Sequence, residues 1–499
     1  MVDTVNEETD GTSFTYESVL FTAIRKFPDE EFSTELDLRN VVAELNIFED
    51  LNKSYLSAQI VVADDSGILD TAKIKGTETI SIVLGRKPES GDISPYFRLD
   101  FKVVSILKQS KSGDRAEVYV LNCISKHGYD DAVVKLSKSF TGKLEDISES
   151  ILTNYLDVDI LRSDKYYNSD QGSVQDPIKV VLPYLSPLES VEWLINRATD
   201  RWGTPFFIWA SIWGQQSEDG STTDRTALRI GNFMTMVSNA RSEASENEDE
   251  SKDFIYSQVA TNSSASEGYQ GQGRIIKNIE FDHIENTLKM IQEGAVGSTI
   301  SNFDTGTSQN ISKVFSANKL LDTLNNNGED AEGTILQTVY DQEDAITFGE
   351  EQRFTSYWSA RERSMVSSYG TYGSVNSIHD AIDESSLLNK VRPLSIRSML
   401  DRNKLSVTVD GVGILEDQLS VGDIIKVNFL TADTENYTTS ASSIERSGFY
   451  LIQKTRHIFG SRHNVVLSIC KVAQTETVND NSLWDDFSDW WNDDDEADF

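Results

Sequence analysis

The residues best suited to chemistry in this 499-residue sequence are five histidines, two cysteines and a large excess of carboxylates, 81 Asp plus Glu against 45 Lys plus Arg. His127, His283, His379, His457 and His463 show no ligand-pair spacing, and Cys123 with Cys470 cannot alone build a structural zinc site. Neither a GxSxG nucleophile elbow nor an HExxH zinc helix occurs. The pair Gly142-Lys143 is preceded by Ser137 where a phosphate loop requires glycine. Gly268, Gly271 and Gly273 lie in a polar stretch, and the third glycine of a dinucleotide fingerprint would fall on Ile276. A calcium-loop pattern through Asn325, Asn327 and Gly328 fails at its first and twelfth positions, Thr323 and Thr334. The sequence therefore nominates no catalytic residue, no metal ligand and no cofactor, and among so many carboxylates it cannot single out a glycosidase pair.

One cluster points to recognition instead. Residues 482–499 hold eight acids and no base, yet carry Trp484, Phe487, Trp490 and Trp491. Their spacing places the rings on one stripe of a helix with the acids opposite, suited to a partner's groove, and aromatic rings are interface anchors that are costly to leave in water. The plainer alternative is a solubilising charged end.

Elements that could carry such sites follow from the apolar pattern. Leu36, Leu38, Ile80, Ile82, Leu84, Phe97, Leu99, Phe101 and Val103 alternate with polar neighbours, as do Val118 and Val120, which predicts half-buried strands over 36–124. Residues 405–473 repeat the arrangement. SGDRAEVYVLNCI, from Ser112, parallels GSRHNVVLSIC, from Gly460, and sets Cys123 against Cys470. Between these regions Ser186-Pro187-Leu188-Glu189 is a capping box with proline at the first helical position, predicting a helix from Pro187 to Trp202. A second helix is predicted over Leu144–Leu156, and Pro205–Trp213 reads as a strand buried on both faces. The Ser-, Asn- and Glu-rich stretch 238–273 reads as a mobile loop, and Ile311, Val314, Phe315, Leu320 and Leu321 stand at roughly helical spacing.

The expected fold class is mainly β with α+β insertions: two related antiparallel barrel-like domains plus a helix-containing domain. No apolar run approaches the ~18 residues that span a bilayer, and the first residues carry acids where a secretory signal carries Lys or Arg. A net charge of −36 disfavours specific binding of nucleic acid through a basic patch.

This order of segments, with KLEDISESILTNYL, TPFFIWASIWG, RIIKNIEFDHIENTLKMIQEGAVG, LSVGDIIKVNF and GFYLIQKTRHIFGSRHNVVLSIC, resembles the baseplate central hub proteins of T-even-like contractile-tailed phages over roughly residues 30–473. The resemblance implies a homotrimeric ring that adapts a threefold cell-puncturing spike protein to the sixfold tail tube, in the virion's tail baseplate, assembled in the host cytoplasm. It implies no enzyme, since the family's lysozyme activity resides in the spike. Tube or tube-initiator proteins are the expected neighbours, the tape measure protein is a further candidate, and DNA passes without specific binding along a lumen expected to carry part of the acidic excess. The implied organisation is an N-terminal extension at 1–29, a first tube-like domain at 30–125 and an α+β domain at 126–273. A second tube-like domain is assembled from 274–303 and 387–473, with 304–386 inserted and 474–499 as tail. The long polar loop, the insertion and the acidic tail depart from the family pattern. The alternatives are a tail-associated cell-wall hydrolase and a glycan-binding adhesion module using Trp209 and Trp213.

Overall fold

The computed structural model describes residues 15–257 and 274–473, apart from the stretches 86–95, 169–177, 214–226, 247–252, 282–291, 325–360, 368–375, 378–386 and 433–438 and some shorter ones; residues 1–14, 258–273 and 474–499 also lie outside the description. Alternation of apolar and polar residues produces a first run of strands: β1 (Thr15–Phe27), β2 (Glu30–Asp37), β3 (Val42–Asp50), β4 (Ser57–Asp64), β5 (Thr79–Gly85), β6 (Tyr96–Ser112) and β7 (Ala116–Ser125). The middle of the chain contributes α1 (Lys126–Asp131), β8 (Ser139–Gly142), α2 (Leu144–Leu156), β9 (Ile160–Leu161), β10 (Ile178–Val181), α3 (Pro187–Ile195), β11 (Phe206–Ser211), β12 (Ala227–Asn232), α4 (Phe233–Glu246) and β13 (Phe254–Ser257). Then come β14 (Asn278–Glu280), β15 (Gly297–Asp304), β16 (Gln309–Ser316), β17 (Arg361–Ser367), β18 (Asn376–Ser377), α5 (Arg392–Leu400), β19 (Lys404–Asp410), α6 (Gly411–Glu416), β20 (Ile424–Ala432), β21 (Thr439–Ser442), β22 (Gly448–Phe459) and β23 (His463–Ala473). The protein is mainly β, with few helices, as expected.

One large sheet runs β14-β19-β23-β22-β3-β4-β7-β6-β5-β1-β2, with β20 also paired to β22 and β13 to β20. Within it a single antiparallel order occurs twice, β3-β4-β7-β6-β5 and β14-β19-β23-β22-β20. The registers agree as well. Ile60 faces Leu121 and Leu45, and Val407 faces Leu467 and Ile279. Ile80 faces Phe101, and Ile425 faces Tyr450. Both hairpins carry a register shift at the same place, between Val103 and Ser105 on β6 and between Ile452 and Lys454 on β22.

That shared bulge corrects the sequence alignment by one residue. Cys123 lies opposite Val103 at its bulge, and the residue in that place on β23 is Ile469, opposite Ile452, rather than Cys470. Aligning the two hairpins at their turns hid this, because the β7 arm is one residue longer between turn and bulge. A one-residue slip moves a side chain to the other face of a sheet.

The middle segment meets the expected capping box: the Ser186 hydroxyl accepts from the Glu189 N–H, and the Glu189 carboxylate accepts from the Ser186 N–H at 2.9 Å. The helix ends at Ile195, short of the expected Trp202. Asp200 there accepts from the N–H groups of Trp202 and Thr204 at 2.9 and 2.7 Å, giving the backbone a local alternative to further helix. α2 occupies the expected residues, and β11 is buried throughout.

Two expectations are overturned. Residues 238–246 of the expected loop are the second half of α4, and 254–257 form β13. Ile311, Val314 and Phe315 belong to β16, which pairs with β15 in a separate sheet completed by β17. Ile311 and Phe315 are four residues apart, a spacing that puts them on one face of either a helix or a strand, so it did not discriminate.

Candidate functional site: the seam between the sheet halves and its counterpart edge

The two five-strand halves meet where β22 pairs with β3. Lys454 through Phe459 lie antiparallel to Asp50 through Leu45. β22 is a divided strand, its Gly448–Leu451 portion pairing with β20 and its Lys454–Phe459 portion with β3.

On the buried face of this seam Glu49 is enclosed by three parts of the chain. Its Oε1 accepts from the Ile212 N–H at 2.8 Å and from the Ser420 hydroxyl at 2.9 Å, and its Oε2 accepts from the Thr455 hydroxyl at 2.6 Å. His457 Nε2 stands 3.9 Å from Glu49 Oε2, within ion-pair distance, and its Nδ1 lies 3.2 Å from His463 Nε2. The His463 ring stacks on Phe459 at 4.1 Å. Burial is the largest influence on Glu49 and would raise its pKa, yet the His457, Thr455 and Ile212 contacts together hold it below the usual carboxylate value. His463 is held well below the usual imidazole value by burial and then by His457.

The other face of the seam is half-exposed. Lys454 Nζ lies 3.1 Å from Asp50 Oδ2, and Arg456 Nε donates to Asn46 Oδ1 at 3.0 Å with its guanidinium 5.7 Å from the Phe48 ring. On the open face of the two five-strand halves, Arg98, Lys102, Lys404, Lys426, Lys454 and Arg456 stand among Glu44, Asp50, Asp100, Glu280 and Asp410.

β6 is the counterpart of β22 but is paired along one half only. Tyr96–Lys102 pairs with β5, whereas among the described residues nothing pairs with the same side of β6 beyond Val104. Two apolar residues of β6, Val104 and Leu107, are 43% and 40% exposed. β14, the counterpart of β3, lies at an end of the sheet: Asn278–Glu280 pairs with β19 alone among the described residues, whereas the chain just before it is bridged to β13, the Ile276 N–H donating to the Ile255 carbonyl at 2.9 Å.

The residues singled out from the sequence fall as follows. Trp484, Phe487, Trp490 and Trp491 lie outside the described residues. Cys123 and Cys470 are buried thiols, both pushed up to about 12 by burial. Trp209 and Trp213 are 0% and 5% exposed, so neither can stack on a sugar. Trp209 packs instead edge-on against Tyr166 at 5.4 Å and against Gly422, whose φ of +92° and contact with the indole leave no room for a Cβ. Ser125 and His127 approach to 3.3 Å, which looks like a nucleophile with its base. However, His127 Nε2 lies 2.8 Å from the Ser54 carbonyl, so that nitrogen carries the proton and cannot accept one. No group of three or more His, Cys, Asp or Glu among the described residues could hold a metal, and no helix among them is long and apolar enough to cross a membrane. Sequence reasoning missed Glu49, because its partners stand 163 to 406 positions away in the chain.

No family model matches the chain, and no curated protein matches it. Among solved structures it is similar to the tail protein from Neisseria meningitidis MC58, at 10% identity and a TM-score of 0.45, covering 91% of this chain and 96% of that one. The 43 kDa tail protein of prophage MuSo2 from Shewanella oneidensis matches at 9% identity and a TM-score of 0.42, covering 91% and 98%. A prophage tail protein from Listeria monocytogenes matches at 12% identity and a TM-score of 0.39, covering 90% and 94%.

Proposed function

We propose that the chain is a structural subunit of a phage tail, the hub of its baseplate. Three copies form a ring that adapts a threefold spike to the sixfold tail tube and leaves an axial channel through which DNA passes without specific binding. The observation that carries this reading is the repetition of one five-strand order, with matching registers and a matching bulge, inside a single chain. Two equivalent halves per chain let a threefold assembly offer six equivalent surfaces. The halves fall within residues 30–125 and within 274–303 plus 387–473, and the elements between them form the part that meets other proteins. The spike, a tube or tube-initiator protein and the tape measure protein are the partners, and the place of action is the virion's tail baseplate after assembly in the host cytoplasm. The chemistry is geometric rather than catalytic.

With the open face of the sheet assigned to the channel, the two halves give its wall both cations and carboxylates. A mixed polar wall offers phosphates no continuous basic track on which to stick.

Light scattering on the purified chain tests the assembly: a mass of three 55.8 kDa copies is expected, and a stable monomer at micromolar concentration with the spike present contradicts it. The aromatic tail is the second contact. Replacing Trp484, Trp490 and Trp491 with alanine is expected to weaken attachment of one neighbouring protein at least tenfold while leaving the ring's mass unchanged. An unaltered pull-down of every neighbour would reduce the tail to a solubilising end.

A further inference from the structure

We infer that copies of this chain join edge to edge, β14 of one copy adding to the open half of β6 on the next, with a register set by the seam inside the chain. This rests on the ring reading above and specifies the surface that closes it. Within one chain the seam is made by the far half of β22 and by β3. The counterparts of those two elements are β6 and β14, and among the described residues the matching side is unpaired on β6 beyond Val104 and on β14 from Asn278 to Glu280, past the bridge of Ile275 to Ile255. These two edges are therefore the two halves of the same seam, waiting for each other on different copies.

The burial pattern agrees. Counting along the matched registers, Phe281 is the counterpart of Ile47, since Ile279 corresponds to Leu45. Ile47 faces the sheet's buried side beside His457 of β22 and is 0% exposed, whereas Phe281 stands in the same phase just past β14 and is 58% exposed. Its described contact is the Arg446 guanidinium, 5.3 Å from the ring. Ile275, before β14, is bridged to Ile255 of β13 and is 37% exposed, and Val104, beside the bulge of β6, is 43% exposed. Phe281 and Val104 thus stand exposed beside the two edges, and the second copy covers them.

Such an interface is heterologous, using different surfaces of the two partners, and closes into a ring only if the rotation per copy divides a full turn. It also removes two unpaired sheet edges that would otherwise template aggregation. In the seam His457 faces Ile47. Counting from the shared bulge, Lys108 corresponds to His457, so Lys108 of one copy should face Phe281 of the next. A second register shift on β6, between Leu107 and Ser110, widens this to Lys108 or Gln109.

The test is a pair of double variants of the full chain, Lys108→Cys with Phe281→Cys and Gln109→Cys with Phe281→Cys. Opposed positions in an antiparallel pair have Cβ atoms about 4.5–5.5 Å apart, near enough for a disulfide or a short thiol cross-linker. The native thiols are buried and do not compete. At least one double variant is expected to give intermolecular cross-links in most chains, up to a covalently closed trimer, while each single variant gives none. Phe281→Asp is expected to weaken self-association at least tenfold with the circular dichroism of the chain unchanged, since the side chain is exposed in the single copy. A particle of trimeric mass in which neither double variant cross-links and Phe281→Asp has no effect would overturn this edge pairing and leave the ring reading standing. Absence of any assembly would overturn both.

Discussion

Replacing Glu49 with leucine is expected to destabilise the chain by about 3–5 kcal/mol, far beyond the effect of an exposed carboxylate change. The carboxylate satisfies the Ser420 and Thr455 hydroxyls and the Ile212 N–H and faces His457, all in a fully buried place. Leucine removes the acceptor and leaves several donors unpaired, each costing about 1–3 kcal/mol when it cannot reach water. Because Thr455 and His457 belong to one sheet half, Glu49 to the other and Ile212 to the segment between, the loss should appear as separation of the halves. Hydrogen exchange along β3 and β22 is the direct readout: faster exchange in Glu49→Leu is expected there before elsewhere. Glu44→Gln, on the open face of the same strand, should change stability by about 0.5 kcal/mol or less. Equal thermal shifts for the two variants would refute the importance of the buried cluster.

Acidification should weaken the fold in two stages. Burial pushes His127 down to about 4, against the opposing pull of the Ser54 carbonyl and Asp130. A base with a depressed pKa is held neutral in the native state, so between pH 6.5 and about 4 the unfolded chain binds a proton that the native chain refuses, and stability falls as pH falls. For His127 alone the loss amounts to about 3 kcal/mol across that window. His463 acts in the same direction from the same starting pH. Glu49 has the opposite chemistry and the same sign: its lowered pKa contributes stability above about 4.5 that is lost as pH falls through the native value. Thermal unfolding from pH 7.5 to 4 should therefore show a decline starting near pH 6.5, and His127→Gln should flatten its upper part. A melting temperature constant between pH 7.5 and 4.5 would be incompatible with this assignment.

Much of the β framework was legible because period-two alternation is a local signal: Ile80, Ile82 and Leu84, or Val407 and Val409, declare a half-buried strand by themselves. The repeat was legible too, though one residue out of phase, since turns are conspicuous in sequence and bulges are not. α4 escaped notice beyond Val237 because its second half, SNARSEASE, lacks an apolar stripe. The seam and its buried Glu49 could not be read at all. A glutamate in a strand looks solvent-facing until residues hundreds of positions away supply its donors, and edge strands look like central ones until pairing is known.

End-on electron microscopy of the purified assembly bears most directly on the proposal that three chains supply six equivalent units. The expected image is a closed ring of threefold symmetry with six nearly identical inner lobes around an open channel. Single particles of monomer size, or a threefold ring whose inner lobes alternate between two unrelated shapes, would contradict it.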